Sequence, residues 1–149
     1  MKNLFQLLLF FAMPLFLSAQ NIDQYRWENR LILVFTPNVQ HPTYLQQVAE
    51  LAPQSEALAD RKLLLFTFTP QGQLLNEDCL GPRENSLAIY DKYGISTTDY
   101  TVLLIGLDGG VKRKVRNEVV NPQSFFKLID TMPMRRAELR RRNQGKRKD

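Results

Sequence analysis

Two side chains suited to covalent chemistry, Cys79 and His41, each occur only once in this 149-residue sequence. A cysteine beside a histidine forms a thiolate near neutral pH, and a thiolate can reduce a peroxide or attack an acyl group. The alternative interpretation is a loop thiol without a partner. A single cysteine and a single histidine exclude a His/Cys zinc cluster and an intrachain disulfide framework. We therefore expect neither a metal nor another cofactor.

Basic side chains form a second group of candidates. Lys112, Lys114 and Arg116 alternate along one short segment, and Arg135 and Arg136 begin a basic C-terminal stretch. Cations in a row on one face of a strand could bind a carboxylate, a phosphate or a sulfated sugar. The alternative, which we favour for the strand, is that its lysines keep an edge strand from pairing with another chain.

The positive charge is concentrated at the C-terminus. Residues 135–149 contain eight basic and two acidic residues, whereas residues 21–134 contain 11 basic and 13 acidic ones. This distribution argues against a nucleic-acid-binding face spread over the domain. The expected partners of the basic tail are anionic lipid headgroups, polysaccharide or an acidic protein. The alternative is a solvated tail without a partner.

Trp27, the single tryptophan, lies between Arg26 and Arg30. An indole flanked by two guanidinium groups resembles sites that hold sugars or anions. A tryptophan that enters a strand more often packs on the core, and we favour that interpretation for Trp27.

The N-terminal segment has the pattern of a secretory signal peptide. Lys2 supplies a positive charge, an apolar run follows from Leu4 to Leu17, and Ser18 and Ala19 are small residues near a cleavage point. The run is too short to cross a bilayer comfortably. We expect an exported protein, periplasmic or extracellular, with a signal at residues 1–20, a domain at 21–134, a basic tail at 135–149 and no transmembrane segment after cleavage. An uncleaved anchor is the alternative.

Apolar patterning predicts the elements of the domain. Continuous apolar runs predict strands that are covered on both faces, and Asp108–Gly109–Gly110 predicts a hairpin turn. The predicted strands are residues 30–36, 62–69, 100–107 and 111–116. The predicted helices are residues 42–61, divided at Pro53, then 85–93 and 121–133, and residues 70–82 are predicted to form a loop.

This order of elements, a βαβ unit followed by a helix and a ββα unit, predicts an α/β fold. It is the thioredoxin-like arrangement, with a mixed four-stranded sheet between helical layers. The two parallel strands end at the same edge of the sheet. The loops that carry His41 and Cys79 are therefore expected to be neighbours.

Three segments also resemble a known family. Residues 26–35 (RWENRLILVF), 108–112 (DGGVK) and 129–136 (IDTMPMRR) are similar to the domain-of-unknown-function 4174 family, and the similarity extends from about Tyr25 to Arg140. The resemblance implies a thioredoxin-like fold, since the family has one, and an exported protein, since its bacterial members are usually exported. It also implies relatives within animal extracellular matrix proteins that bear sushi repeats. It implies no settled activity, because the peroxiredoxin-like role suggested for the family rests on fold analogy.

The expected function follows from the absence of a cysteine just after the first predicted strand. Redox-active thioredoxin-like proteins carry their nucleophilic cysteine just after the first strand, and residues 36–43 (TPNVQHPT) contain none. We therefore expect a non-catalytic binding module of unknown ligand, which uses the basic tail and the hairpin strand as its contact surface. The alternative is a one-cysteine thiol peroxidase or reductase-like enzyme that uses Cys79 with His41.

Overall fold

The computed structural model describes residues 22–75, 79–80 and 83–145, so the predicted signal at residues 1–20 lies outside the described part. Short 3₁₀ turns occur at Ile22–Tyr25 and Ala52–Gln54. The strands are β1 (Arg30–Phe35), β2 (Leu63–Thr69), β3 (Gly72–Leu75), β4 (Cys79–Leu80), β5 (Thr101–Ile105) and β6 (Val111–Arg116). The helices are α1 (Pro42–Leu51), α2 (Ser55–Asp60), α3 (Arg83–Lys92), α4 (Pro122–Thr131) and α5 (Pro133–Gly145).

The strands form one mixed sheet in the order β4-β3-β2-β1-β5-β6. Strand β1 pairs in parallel with β2 and antiparallel with β5, and the remaining pairs are antiparallel. The four predicted strands are β2, β1, β5 and β6, which lie side by side in this order. The first unit is therefore the predicted βαβ crossover.

The prediction of a loop over residues 70–82 is wrong, because this segment contains the two additional strands β3 and β4. The turn into β3 is closed by two hydrogen bonds: the Gly72 N–H donates to Thr69 Oγ1 at 3.2 Å, and the Thr69 hydroxyl donates to the Gly72 carbonyl at 2.9 Å. The chain then reverses and pairs with the end of β2. Polar residues that suggested a loop by composition instead form a tight hairpin, and the sheet has six strands rather than four.

Every residue of β1 is buried, as its apolar run predicted. Its alternate side chains face two separate cores. Ile32 and Val34 pack with Phe125 and Ile129 of α4 on one face. On the other face Leu31, Leu33 and Phe35 pack with Tyr90 of α3 and neighbouring residues. The sheet thus lies between helical layers.

The predicted helix boundaries are largely confirmed. A 3₁₀ turn containing Pro53 separates α1 from α2. The Asn121 side chain accepts a hydrogen bond from the Gln123 N–H at 2.9 Å, which caps α4 as predicted. Gly94 follows α3 with φ of +57°, a conformation that suits glycine.

The C-terminal boundary differs from the prediction. Pro133 ends α4, as expected, but it also begins α5, which extends through Gly145. Proline is tolerated in the first turn of a helix because its missing N–H would have no intrahelical partner there. Most of the predicted tail is therefore a helix.

Candidate anion-binding surface

Helix α5 is fixed to the rest of the domain by ion pairs, which we call the arginine network. The network consists of Arg30, Arg61, Arg135, Arg142, Asp60, Asp130 and Glu138. At its centre Arg135 is only 4% exposed. Its guanidinium pairs with Asp60, with Asp130 at 3.3 Å and with Glu138 at 3.5 Å, and Nη1 donates to the Asp60 carbonyl at 2.7 Å.

The network reaches the first residue of β1. Arg30, 1% exposed, donates from Nη2 to Glu138 Oε1 at 3.1 Å and from Nη1 to the Arg61 carbonyl at 2.9 Å. Arg61 holds Asp130 with two bonds, at 3.1 and 2.7 Å. The fork of a guanidinium matches a carboxylate in this geometry. Helix α5 is thus connected to β1, to the end of α2 and to α4.

Burial among carboxylates corrects two of the predictions. Arg135 was expected to be an anion-binding residue, but its donors are already used by three acidic side chains. Arg30 was expected to flank Trp27, but it points into the network instead. The sequence analysis missed the acidic members of the network, although Arg135, Glu138 and Arg142 have the i, i+3, i+7 spacing of one helical face.

The network also changes the acidity of one of its carboxyl groups. Desolvation raises the pKa of Asp60, but the hydrogen bonds and charges of Arg142 and Arg135 outweigh it. The pKa of Asp60 therefore lies below its ordinary value of 3.8. The anionic form of Asp60 is thereby favoured in the folded protein.

The opposite side of α5 presents arginines to solvent. Arg136, Arg140 and Arg141 are exposed, and no ion pair links any of them to a carboxylate within the described residues. Arg136 and Arg140 are one helical turn apart and so lie on the same face. We call these three residues the outer arginines. Arg136, a predicted anion-binding residue, is thus exposed and has no carboxylate partner within the described residues.

The three predicted cations of β6 do not form one row. The pairing of β5 with β6 is interrupted by a bulge: Ile105 pairs with Val111, but Leu104 pairs with Arg113. Lys112, which lies between these two β6 residues, therefore has no partner on β5. A bulge breaks the two-residue alternation of side chains. The prediction that Lys112 shares a face with Lys114 and Arg116 is therefore corrected.

Each β6 cation has a different environment. Lys112 donates to Asp108 Oδ2 at 2.6 Å, and this bond is the main reason why the pKa of Asp108 is lowered. Lys114 donates to the Tyr93 and Gly94 carbonyls at 3.0 and 3.3 Å, just beyond α3. Desolvation and the charge of Arg116 lower the pKa of Lys114. Arg116 is exposed.

Strand β6 is an edge strand of the sheet, which is the position that the edge-protection interpretation requires.

Trp27 is exposed, contrary to the expectation that it packs on the core. Its side chain is 59% accessible, and the Arg26 guanidinium lies over the indole, 5.4 Å from the ring centroid. Its backbone has φ of +70°, the left-handed region that a bulky residue rarely adopts. The Trp27 N–H donates to the Leu107 carbonyl at 2.6 Å, and this bond holds the strained turn in place.

The strained turn at Trp27 leads to a stability prediction. We expect Trp27→Gly to be about 1 kcal/mol more stable than Trp27→Ala, because glycine adopts the left-handed conformation without the cost that a Cβ imposes. Both variants lose the same exposed indole, so the comparison isolates the backbone. Urea unfolding followed by circular dichroism measures the difference. Equal stability of the two variants would show that the turn relaxes when the indole is removed.

The structure places His41 and Cys79 on different elements. His41 precedes α1, and its ring lies parallel to Tyr100, with centroids 5.9 Å apart. Its Nδ1 is buried without a hydrogen-bond partner. Cys79 opens the outermost strand, β4, and β3 and β2 lie between that strand and β1. The side chain of Cys79 lies outside the described residues, so its pairing with His41 stays a prediction.

Among residues 22–75, 79–80 and 83–145, no group of three or more His, Cys, Asp or Glu side chains is arranged to hold a metal ion. Within the same ranges, none of the helices combines the length and apolar character needed to cross a membrane.

Comparisons with known proteins identify the family and the fold. The family described as "Domain of unknown function (DUF4174)" matches residues 21–138. "Coiled-coil domain-containing protein 80" of Danio rerio is 29% identical over 138 residues, which cover 82% of this chain but only 16% of that protein. The crystal structure of the reduced 2-Cys peroxiredoxin of Plasmodium vivax superposes with a TM-score of 0.54 at 14% identity, covering 74% of this chain and 80% of that one. Since peroxiredoxins have a thioredoxin-like fold, this likeness establishes the fold alone. The chain therefore belongs to the domain-of-unknown-function 4174 family, and its fold is thioredoxin-like, as the sequence predicted.

Proposed function

We propose that this protein is an exported, non-catalytic binding module whose ligand is an anionic polysaccharide, bound along the outer arginines of α5. One observation carries the proposal. Three exposed arginines, which have no carboxylate partner within the described residues, lie on a helix whose opposite face is fixed by the arginine network. Cations on a rigid support lose less conformational entropy when they bind than cations on a free tail.

The spacing of the outer arginines suits a linear polymer with repeated charges. Arg136 and Arg140 are four residues apart, which corresponds to about 6 Å along the helix axis, and Arg141 widens the charged face. A guanidinium presents a planar fork that matches sulfate and carboxylate groups. Three basic residues, Lys146, Arg147 and Lys148, follow in the sequence and add to the charge of this end.

An electrostatic contact with a polymer is favoured over insertion into a membrane. A helix that inserts into the interface needs a wide apolar face. In the described part of α5, Met134 is the only strongly exposed large apolar side chain. A bilayer would therefore be held by charge alone, whereas a polymer can follow the charged face along its length.

Affinity for heparin, a sulfated polysaccharide, tests the proposal. The triple variant Arg136→Gln, Arg140→Gln, Arg141→Gln is expected to bind heparin on the order of 10- to 100-fold more weakly, because surface cations contribute up to about 1 kcal/mol each near an anionic surface. The matched control removes three exposed charges elsewhere, with Arg26→Gln, Lys92→Gln and Lys127→Gln. This control is expected to keep most of the affinity. Equal losses in the two variants would contradict a localised site.

Two further probes separate the partner classes. Vesicles of equal parts phosphatidylcholine and phosphatidylglycerol represent a lipid surface, and polyglutamate represents an acidic protein. We expect both to bind more weakly than heparin at the same ionic strength. Stronger binding to either probe would replace the polysaccharide with that partner.

The non-catalytic part of the proposal has its own test. We expect the alkylation rate of Cys79 to rise with a midpoint at or above the free-thiol pKa of about 8.5, because a non-catalytic thiol has no partner that stabilises its thiolate. The rate is measured against pH in the protein and in His41→Ala. A midpoint well below 8.5 that His41→Ala abolishes would instead support a one-cysteine thiol enzyme.

A further inference from the structure

A cavity of about 350 Å³ opens where the β5–β6 hairpin faces the junction between α4 and α5. We call it the corner cavity. Its walls include Arg30, Lys112, Asp108, Leu107, Met132 and Met134. The volume is at the lower end of the range of about 300–1,000 Å³ that small-molecule sites occupy. The cavity lies at the start of β1 and beside the β5–β6 hairpin, and none of the outer arginines lines it.

The polar side of the corner cavity carries two cationic side chains, Lys112 and Arg30, and one carboxylate, Asp108. Lys112 uses one of its three N–H groups for Asp108, whose other oxygen accepts the Gly110 N–H at 3.1 Å, so the charge of this carboxylate is already compensated. Arg30 gives both terminal nitrogens to Glu138 and to the Arg61 carbonyl, but its Nε–H is buried without an acceptor. A buried donor without a partner is costly, and a ligand oxygen would supply the missing acceptor.

The start of α5 adds to this preference for an anion. Pro133 and Met134, the first two residues of the helix, line the cavity, and Met132 occupies the position before them. The thioether of Met132 offers no oxygen to cap the N–H groups of the first turn. A helix N-terminus with uncapped N–H groups attracts negative charge.

The remaining wall is apolar and adaptable. Leu107, Met132 and Met134 supply aliphatic and thioether surface, and methionine side chains adjust easily to the shape of a ligand. We propose that the corner cavity binds a small carboxylic acid with a compact aliphatic group, its carboxylate held by Lys112 and Arg30 and its aliphatic group packed on Leu107, Met132 and Met134. This site is independent of the proposed polysaccharide surface.

Methionine methyl NMR tests the proposal directly. Met132 and Met134 are the two methionines of the predicted mature sequence, residues 21–149, and both line the cavity. On titration of this mature protein with 4-methylpentanoate, we expect both methyl signals to shift in a saturable manner. The uncharged 4-methylpentan-1-ol has the same aliphatic group and should bind about tenfold more weakly or worse.

Two variants assign the carboxylate contact. Lys112→Gln should weaken binding of 4-methylpentanoate by about tenfold or more. Lys114→Gln, two residues along the same strand but hydrogen-bonded to the Tyr93 and Gly94 carbonyls, should leave it unchanged. Absence of methyl shifts, equal binding of the alcohol, or full affinity in Lys112→Gln would overturn the proposal. The triple variant of the outer arginines should bind the acid normally, so failure of the polysaccharide proposal would not affect this result.

Discussion

Substitution Arg135→Ala is expected to lower the free energy of unfolding by about 3 kcal/mol. It removes a side chain that is 5% exposed and leaves Asp60, Asp130 and Glu138 without a central partner. Breaking a buried ion pair costs about 3–5 kcal/mol. We expect a loss at the lower end of this range because the side chains of Asp60, Asp130 and Glu138 are 34%, 36% and 24% exposed. Urea unfolding followed by circular dichroism measures the loss.

The matched control is Arg136→Ala, which removes an exposed arginine at the next position of the same helix. We expect a change within about 0.5 kcal/mol, because this residue has no described carboxylate partner. Equal effects of the two substitutions would contradict the docking of α5 through Arg135.

Acidic pH provides a second readout of the same prediction. Arg142 and Arg135 lower the pKa of Asp60 below 3.8 in the folded protein. The stabilisation from this shift is therefore present above pH 3.8 and is lost as the pH falls through the folded-state pKa. The difference in stability between the wild-type protein and Arg135→Ala should thus shrink below pH 3.8. A constant difference down to pH 2 would indicate that Arg135 acts through packing alone.

Phe35→Ala is expected to lower the free energy of unfolding by about 4 kcal/mol. Phe35 is fully buried at the end of β1, stacked on Phe68 with ring centroids 5.4 Å apart and in edge contact with Tyr90 at 4.9 Å. Its removal leaves a cavity between β1, β2 and α3, and the lost burial and the cavity both reduce stability. Urea unfolding measures the loss.

The control for Phe35→Ala is Leu65→Ala on the neighbouring strand β2. Leu65 is 41% exposed, so its truncation should cost about 1 kcal/mol or less. A loss below about 1.5 kcal/mol for Phe35→Ala would mean that the aromatic cluster collapses into the space, and that this end of the sheet is less tightly packed than the structure shows.

The sequence predicted the layers of the fold because the patterns on which they depend are local. The apolar run at residues 31–35 favours a strand covered on both faces, and Asn121 with Pro122 forms a helix start within a few residues. Strands β3 and β4 were missed for the converse reason. The pairing of β3 with β2 depends on the turn between Thr69 and Gly72, whose hydrogen bonds leave no apolar pattern in the sequence.

The candidate surface was predictable only in part. The basic character of residues 135–149 is a property of composition, but which arginines face solvent depends on contacts with distant residues. Asp60 is 75 positions from Arg135, and Arg30 is 108 positions from Glu138. The exposure of Trp27 was not predictable from the sequence either, because it depends on a left-handed turn that is held by the distant Leu107 carbonyl and directs the side chain outward.

The salt dependence of heparin binding tests most directly the claim that the outer arginines form the binding surface. Release of counterions makes the logarithm of the association constant fall linearly with the logarithm of the salt concentration, by about one unit of slope for each cation in contact. Isothermal titration over a series of NaCl concentrations should give a slope that is about two to three units shallower in the triple variant of Arg136, Arg140 and Arg141 than in the wild-type protein. The control lacking the charges of Arg26, Lys92 and Lys127 should keep the wild-type slope. A slope that is unchanged in the triple variant, or reduced equally in the control, would contradict the account.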